Sequence, residues 1–117
     1  MQSKHAKSIF MREPLGAEKK TSFHGHKVLA TKSQIESMFG KPMYVAKKID
    51  DDTKTQYVWI MSTQNYTGST FVFTLYDWKG PKIQSDNQLV SWNIGTKTPF
   101  ESRIVVNTIH EYLTQRV

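Results

Sequence analysis

The sequence predicts a small α+β domain: an antiparallel sheet of three to four strands, two helices covering one face, and a basic N-terminal arm. Three observations lead there. In the stretch from Ser69 to Gly80, Phe71, Phe73 and Leu75 alternate with Thr70, Val72, Thr74 and Tyr76, and β-branched and aromatic residues fill it, which is the pattern of a strand. Near the C-terminus, Phe100, Ile104, Val105, Ile109, Tyr112 and Leu113 recur at helical spacing behind Thr98-Pro99. Residues 1–27 hold six basic residues (Lys4, Lys7, Arg12, Lys19, Lys20 and Lys27) against Glu13 and Glu18, so +4 of the net charge of +6 lies there.

At 117 residues the chain can bury one modest core, so a single domain is expected over residues 23–117, preceded by an arm over residues 1–22. The arm has no regular period. Ile9, Phe10, Met11 and Leu15 are scattered among charges, and Pro14 and Gly16 interrupt them. Ile9-Phe10-Met11 reads as an apolar anchor for a groove on this protein or on a neighbour.

Lys27–Ala30 reads as a short edge strand. A helix follows, opened by a capping box of Thr31 with Gln34 or of Ser33 with Glu36. Ile35, Met38 and Phe39 share its inner face, Gly40 suits the position after its last turn, and Pro42 forbids continuation. The chain from Met43 to Ile49 is compatible with extension. Asp50-Asp51-Asp52-Thr53 reads as a solvated turn, because a calcium loop needs alternating ligands, a mid-loop glycine and a closing glutamate that do not follow.

Tyr57–Met61 is the next strand. A polar turn over residues 62–69 joins it to the central strand as an antiparallel hairpin. Lys79-Gly80-Pro81 stops that strand, and a polar loop runs to Gln88. Val90–Ile94 alternates as a half-buried strand and is expected to end at Gly95. Thr98-Pro99-Phe100-Glu101 then opens the last helix, with Thr98 capping, Pro99 at the first helical position and Glu101 completing the box. Arg116 complements the dipole at its end. Trp59, Phe73 and Trp92 are the core candidates.

Little in the chain suggests catalysis. Absence of cysteine excludes disulfides, thiolate zinc sites and cysteine nucleophiles. His24-Gly25-His26 is at most half a metal site, since His5 and His110 belong to other segments, so no metal or cofactor is expected. Asp77, with Glu101 or Glu111 or beside His110, is the only catalytic candidate. A buried carboxylate at a strand end has a more ordinary role, paired with Lys79 or an arginine. No apolar run reaches the length of a membrane helix, and no secretory signal opens the chain.

Binding fits the residues better. Lys4, Lys7, Arg12, Lys19 and Lys20 can neutralise phosphates or an acidic surface, with Phe10 as the apolar anchor. Tyr76 and Trp78 fall on the strand face opposite Phe71, Phe73 and Leu75. If that face is open, the two rings beside Lys79 and Lys82 can stack on bases. The alternative is that the arm covers the face, or that one ring caps the sheet edge.

Ser37-Met-Phe-Gly-Lys-Pro42, Trp59, Leu75-Tyr-Asp-Trp-Lys79 and Trp92-Asn-Ile-Gly95, followed by a closing helix, resemble a class of small bacteriophage and large-DNA-virus proteins. These carry Phe-Gly-x-Pro, a tryptophan strand, Tyr-Asp-Trp-Lys and Trp-His-Ile-Gly, so Asn93 stands where the class has histidine. The resemblance spans residues 30–113 and implies a viral setting, in the host cytoplasm or the virion, but no reaction. Three readings follow: a non-enzymatic accessory or virion-associated protein tethered by its basic arm, a nucleic-acid-binding protein, or an inhibitor of a host protein.

Overall fold

The computed structural model describes residues 9–50, 52–65 and 67–115. The chain is α+β, with an antiparallel sheet of six strands and two helices. In order, the elements are β1 (Met11–Arg12), β2 (Ser22–Thr31), α1 (Lys32–Phe39), β3 (Tyr44–Val45), β4 (Tyr57–Gln64), β5 (Thr70–Tyr76), β6 (Leu89–Thr96) and α2 (Pro99–Gln115). The sheet runs β1-β4-β5-β6-β2, with β3 also on β4.

The sheet is larger than the three to four strands expected, because two-residue strands carry no period that a sequence can display. Both sit on the outer edge of β4. β1 pairs Met11 with Ser62 and Arg12 with Met61, and β3 pairs Tyr44 with Val58 and Val45 with Tyr57. The Glu13 N–H donates to Ile60 O, and the Met43 and Ala46 N–H groups donate to Val58 O and Gln56 O. An edge that would otherwise invite another chain is thereby closed.

One face of the sheet carries the core. Trp59, Phe73, Leu75, Trp92, Ile94, Val28 and Ala30 are all fully buried on it. The Trp59 and Trp92 rings meet edge-on at 5.3 Å, and each indole N–H finds a carbonyl, Gly40 O for Trp59 at 2.8 Å and Ala30 O for Trp92 at 3.0 Å. Both helices pack on this face: Ile35, Met38 and Phe39 from α1, and Val105, Ile109 and Tyr112 from α2, join the same cluster.

The α1 cap resolves to Thr31 with Gln34. The Thr31 hydroxyl accepts from the Gln34 N–H, and the Gln34 side chain accepts from the Thr31 N–H. For α2, Thr98 accepts from the Glu101 N–H while Glu101 reaches back to the Lys97 N–H. Phe100, expected in the apolar stripe, is exposed; Ser102 takes the inner position, fully buried, 2.6 Å from the Thr96 hydroxyl. Ser102, Val105, Ile109 and Tyr112 define a stripe that Phe100 misses by two residues. Arg116 lies outside the described residues.

Three strand lengths differ from expectation. β2 has ten residues rather than four, because Gly25, at φ +92°, lets it pass an irregularity between Phe23 and Lys27 and continue. β4 runs on to Gln64. β6 continues through Gly95 to Thr96. A Cβ on Gly95 would lie 2.5 Å from the Thr74 hydroxyl, so the glycine serves close packing inside the strand rather than its termination.

The chain between β1 and β2 has to pass from one edge of the sheet to the other. It does so over the face without helices. The Ser62 hydroxyl donates to Glu13 Oε2 at 2.8 Å at one end of the crossing, and Thr21 stands beside Gly95 at the other. Under this strap Ile60, Ser62 and Thr74 are buried although no helix covers them. Residues 9–21 are therefore built into the folded body. Residues 1–8 lie outside the described residues.

Candidate surface around Trp78

The strap covers only part of the second face. Register places Tyr44, Val58, Tyr76, Asn93 and Lys27 in one row across what remains, strand by strand from β3 to β2. Leu29 and Leu89, both exposed, lie on the same side. At the end of this face the chain leaves β5 through Asp77, Trp78 and Lys79.

Asp77 organises that exit. It is 3% exposed and accepts from the Gln56 N–H at 2.9 Å, the Tyr57 N–H at 2.9 Å and the Gln56 side-chain amide at 3.0 Å. The Gln56 carbonyl oxygen in turn accepts from the Ile83 N–H at 3.1 Å. The expected partner, Lys79 or an arginine, is replaced by main-chain donors. A carboxylate so surrounded is satisfied without a cation. The other carboxylates considered beside it are elsewhere: Glu101 caps α2, and Glu111 and His110 are exposed on α2.

With Asp77 held inward, Trp78 turns outward and is 48% exposed. Lys79 adopts φ +52°, the one non-glycine residue in the left-handed region among the described residues, and its N–H donates to Lys54 O at 2.8 Å. Its ammonium stands 5.6 Å from the centroid of the Trp78 ring. Two cavities meet here. One, of about 310 Å³, is bordered by Lys27, Trp78, Lys79, Gln88, Ser91 and Asn93. The other, of about 640 Å³, is bordered by Asp50, Asp52, Lys54, Gln56, Lys79 and Lys82.

The residues expected to bind separate into groups. Trp78, Lys79 and Lys82 are exposed together, and Tyr76 is half-buried next to them. Lys19 and Lys20 are exposed on the strap. Phe10 is not available to a partner. It is 4% exposed, with its ring 4.9 Å from Phe39 and 5.9 Å from Phe73, because the start of β1 brings it over the core. Arg12 is also engaged at home: its guanidinium donates to Lys41 O at 2.7 Å and to Phe39 O, carbonyls at the end of α1. Lys4 and Lys7 lie outside the described residues.

Lys27, Lys54 and Asn93 were not among the residues expected to bind, although Asn93 stood out in the sequence where the resembling class has histidine. Lys27 and Asn93 are Cα partners across β2 and β6, a neighbourhood that requires the register. Apart from that departure, the local sign for Asn93 was polarity in an alternating strand, which ordinarily means solvent.

The histidine pair does not assemble a site. His24 Nε2 lies 3.0 Å from Thr96 O, and His26 Nδ1 is buried without a partner among the described residues. Among the described residues no three His, Asp or Glu side chains converge as metal ligands. Asp50 closes its turn on the Asp52 N–H at 2.9 Å and on the Thr53 hydroxyl, while Asp51 lies outside the described residues. Among the described residues no helix is long and apolar enough to cross a membrane. In comparisons with protein-family models, curated proteins and solved structures, nothing matches this chain.

Proposed function

We propose that this protein is a non-enzymatic binding module that takes single-stranded nucleic acid on the open part of its second face, around Trp78. The supporting observation is an indole 48% exposed beside lysines that make no ion pair among the described residues. Lys27, Lys54, Lys79 and Lys82 supply charge for phosphates, and the ring supplies a stacking platform that tolerates any base. Lys32, by contrast, is consumed by Glu36 and Asp86.

Titration of Trp fluorescence with a random single-stranded oligonucleotide tests this reading. Neutralising about four phosphates gives a slope of about −3 in log affinity against log salt. Lys79→Glu with Lys82→Glu should flatten that slope and weaken binding. A salt-independent signal, or none at low salt, overturns the proposal.

A second reading places the protein in a virion or another large viral assembly, tethered by its N-terminal residues. The resemblance to phage proteins supports the setting, and Lys4 and Lys7 precede the anchored Phe10. Removing residues 1–8 is the appropriate test, because removal of residues 1–22 would also delete β1 and the strap. Retained incorporation after that truncation would exclude a tether there.

A further inference from the structure

We infer that the cavity of about 310 Å³ beside Trp78 is a receptor for a single nucleobase, with Asn93 as the residue that reads the base edge. The inference rests on the strand-binding reading above and adds a specificity site to it. Asn93 points it out. This side chain is 7% exposed, yet its amide makes no hydrogen bond among the described residues, and it borders the cavity. Its amide atoms are not sealed off, so their donors and acceptor remain available to whatever enters the cavity.

The surroundings suit a planar heterocycle attached to a phosphate. Trp78 offers an aromatic wall, and Leu89 offers an apolar edge. Lys79 stands over the Trp78 ring, and Lys27 is the neighbour of Asn93 across the strands. Both are therefore placed at the rim of the cavity, where a ribose phosphate would emerge. Asp77 also borders the cavity, but its carboxylate is occupied by Gln56 and Tyr57 and leaves the floor to Asn93. The volume lies at the lower end for a small-ligand site, which fits one base rather than a stack of them. A carboxamide matches the adjacent donor and acceptor that an unpaired base presents.

The test uses fluorescence anisotropy with the full chain at fixed salt. Probes are homopolymeric single strands, an abasic strand of equal charge, and the corresponding mononucleotides. Wild type should favour base-bearing over abasic strands by about tenfold, and should distinguish among homopolymers. Asn93→Ala should bind strands but lose the discrimination among them. Trp78→Ala, at an exposed position that leaves the fold intact, should lose the advantage over the abasic strand. Equal binding of abasic and base-bearing strands by wild type overturns the base receptor and leaves the strand-binding reading standing. Asn93-dependent binding of a mononucleotide without strand binding supports the receptor, assigns it to free nucleotides and overturns the strand reading. Binding of neither removes both.

Discussion

Phe10 lies edge-on against Phe39, with ring centroids 4.9 Å apart and planes at 80°. The chain at Phe10 is thereby seated on the end of α1, and Arg12 secures the same place by donating to the carbonyls of Phe39 and Lys41. Gly40 permits the approach, since a Cβ there would lie 2.8 Å from Arg12 Nη1. The segment ahead of β2 thus contributes to the stability of the domain.

Phe10→Ala removes a buried aromatic ring and should cost about 3 kcal/mol in urea unfolding. Amide exchange at Met61 and Ser62 should accelerate in the same variant, because β1 loses its anchor. Unchanged stability would mean that residues 9–12 are not part of the cooperative unit.

Asp77→Ala leaves the N–H groups of Gln56 and Tyr57 without their acceptor. The expected loss is about 3 kcal/mol. Asp77→Asn, which can accept only through one oxygen, should fall between that variant and wild type. Equilibrium unfolding at neutral pH measures both.

Gly95→Ala forces a methyl against the Thr74 hydroxyl and should destabilise by about 2 kcal/mol. Thr74→Ala in the same chain should recover part of this, giving a coupling energy of about 1 kcal/mol in a double-mutant cycle. Strict additivity would show that the clash is relieved elsewhere.

Lys32 provides a pH signature. Its burial alone would favour the neutral amine, but hydrogen bonds and charge from Glu36 and Asp86 prevail and hold its pKa above the ordinary lysine value. A pKa raised in the folded state means that the ammonium stabilises the fold from neutral pH up to the ordinary lysine range. That contribution is lost as pH rises through the folded value. The stability difference between wild type and Lys32→Met should therefore be constant from about pH 7 to about pH 10 and shrink above that. Thermal unfolding across alkaline pH checks it.

Much of the central architecture was legible locally. The alternation of Phe71, Phe73 and Leu75 placed β5, and Thr98-Pro99-x-Glu101 placed the start of α2, because both signals are written within one or two turns of chain. Trp59, Phe73 and Trp92 were identifiable as core for the same reason. β1 could not be found this way, and β3 only as part of an extended stretch from Met43 to Ile49: two residues carry no period, and what makes them strands is the hydrogen-bonding edge of β4. Gly95 was misread as a terminator because a glycine needed for contact with Thr74 looks the same, in sequence, as one that ends a strand.

By itself the sequence determined the class of fold, the core residues Trp59, Phe73 and Trp92 and the cap of α2, since these follow from short-range periodicity and from side chains bonding their own neighbours. Only the tertiary structure decided that Phe10 and Arg12 serve the domain, and that a strap covers part of the second face. It also decided that Asn93 lies between Lys27 and Tyr76, its amide making no hydrogen bond among the described residues. Those facts depend on which distant strands are adjacent and in what register, and pairing across a sheet leaves no mark on any one segment of the chain.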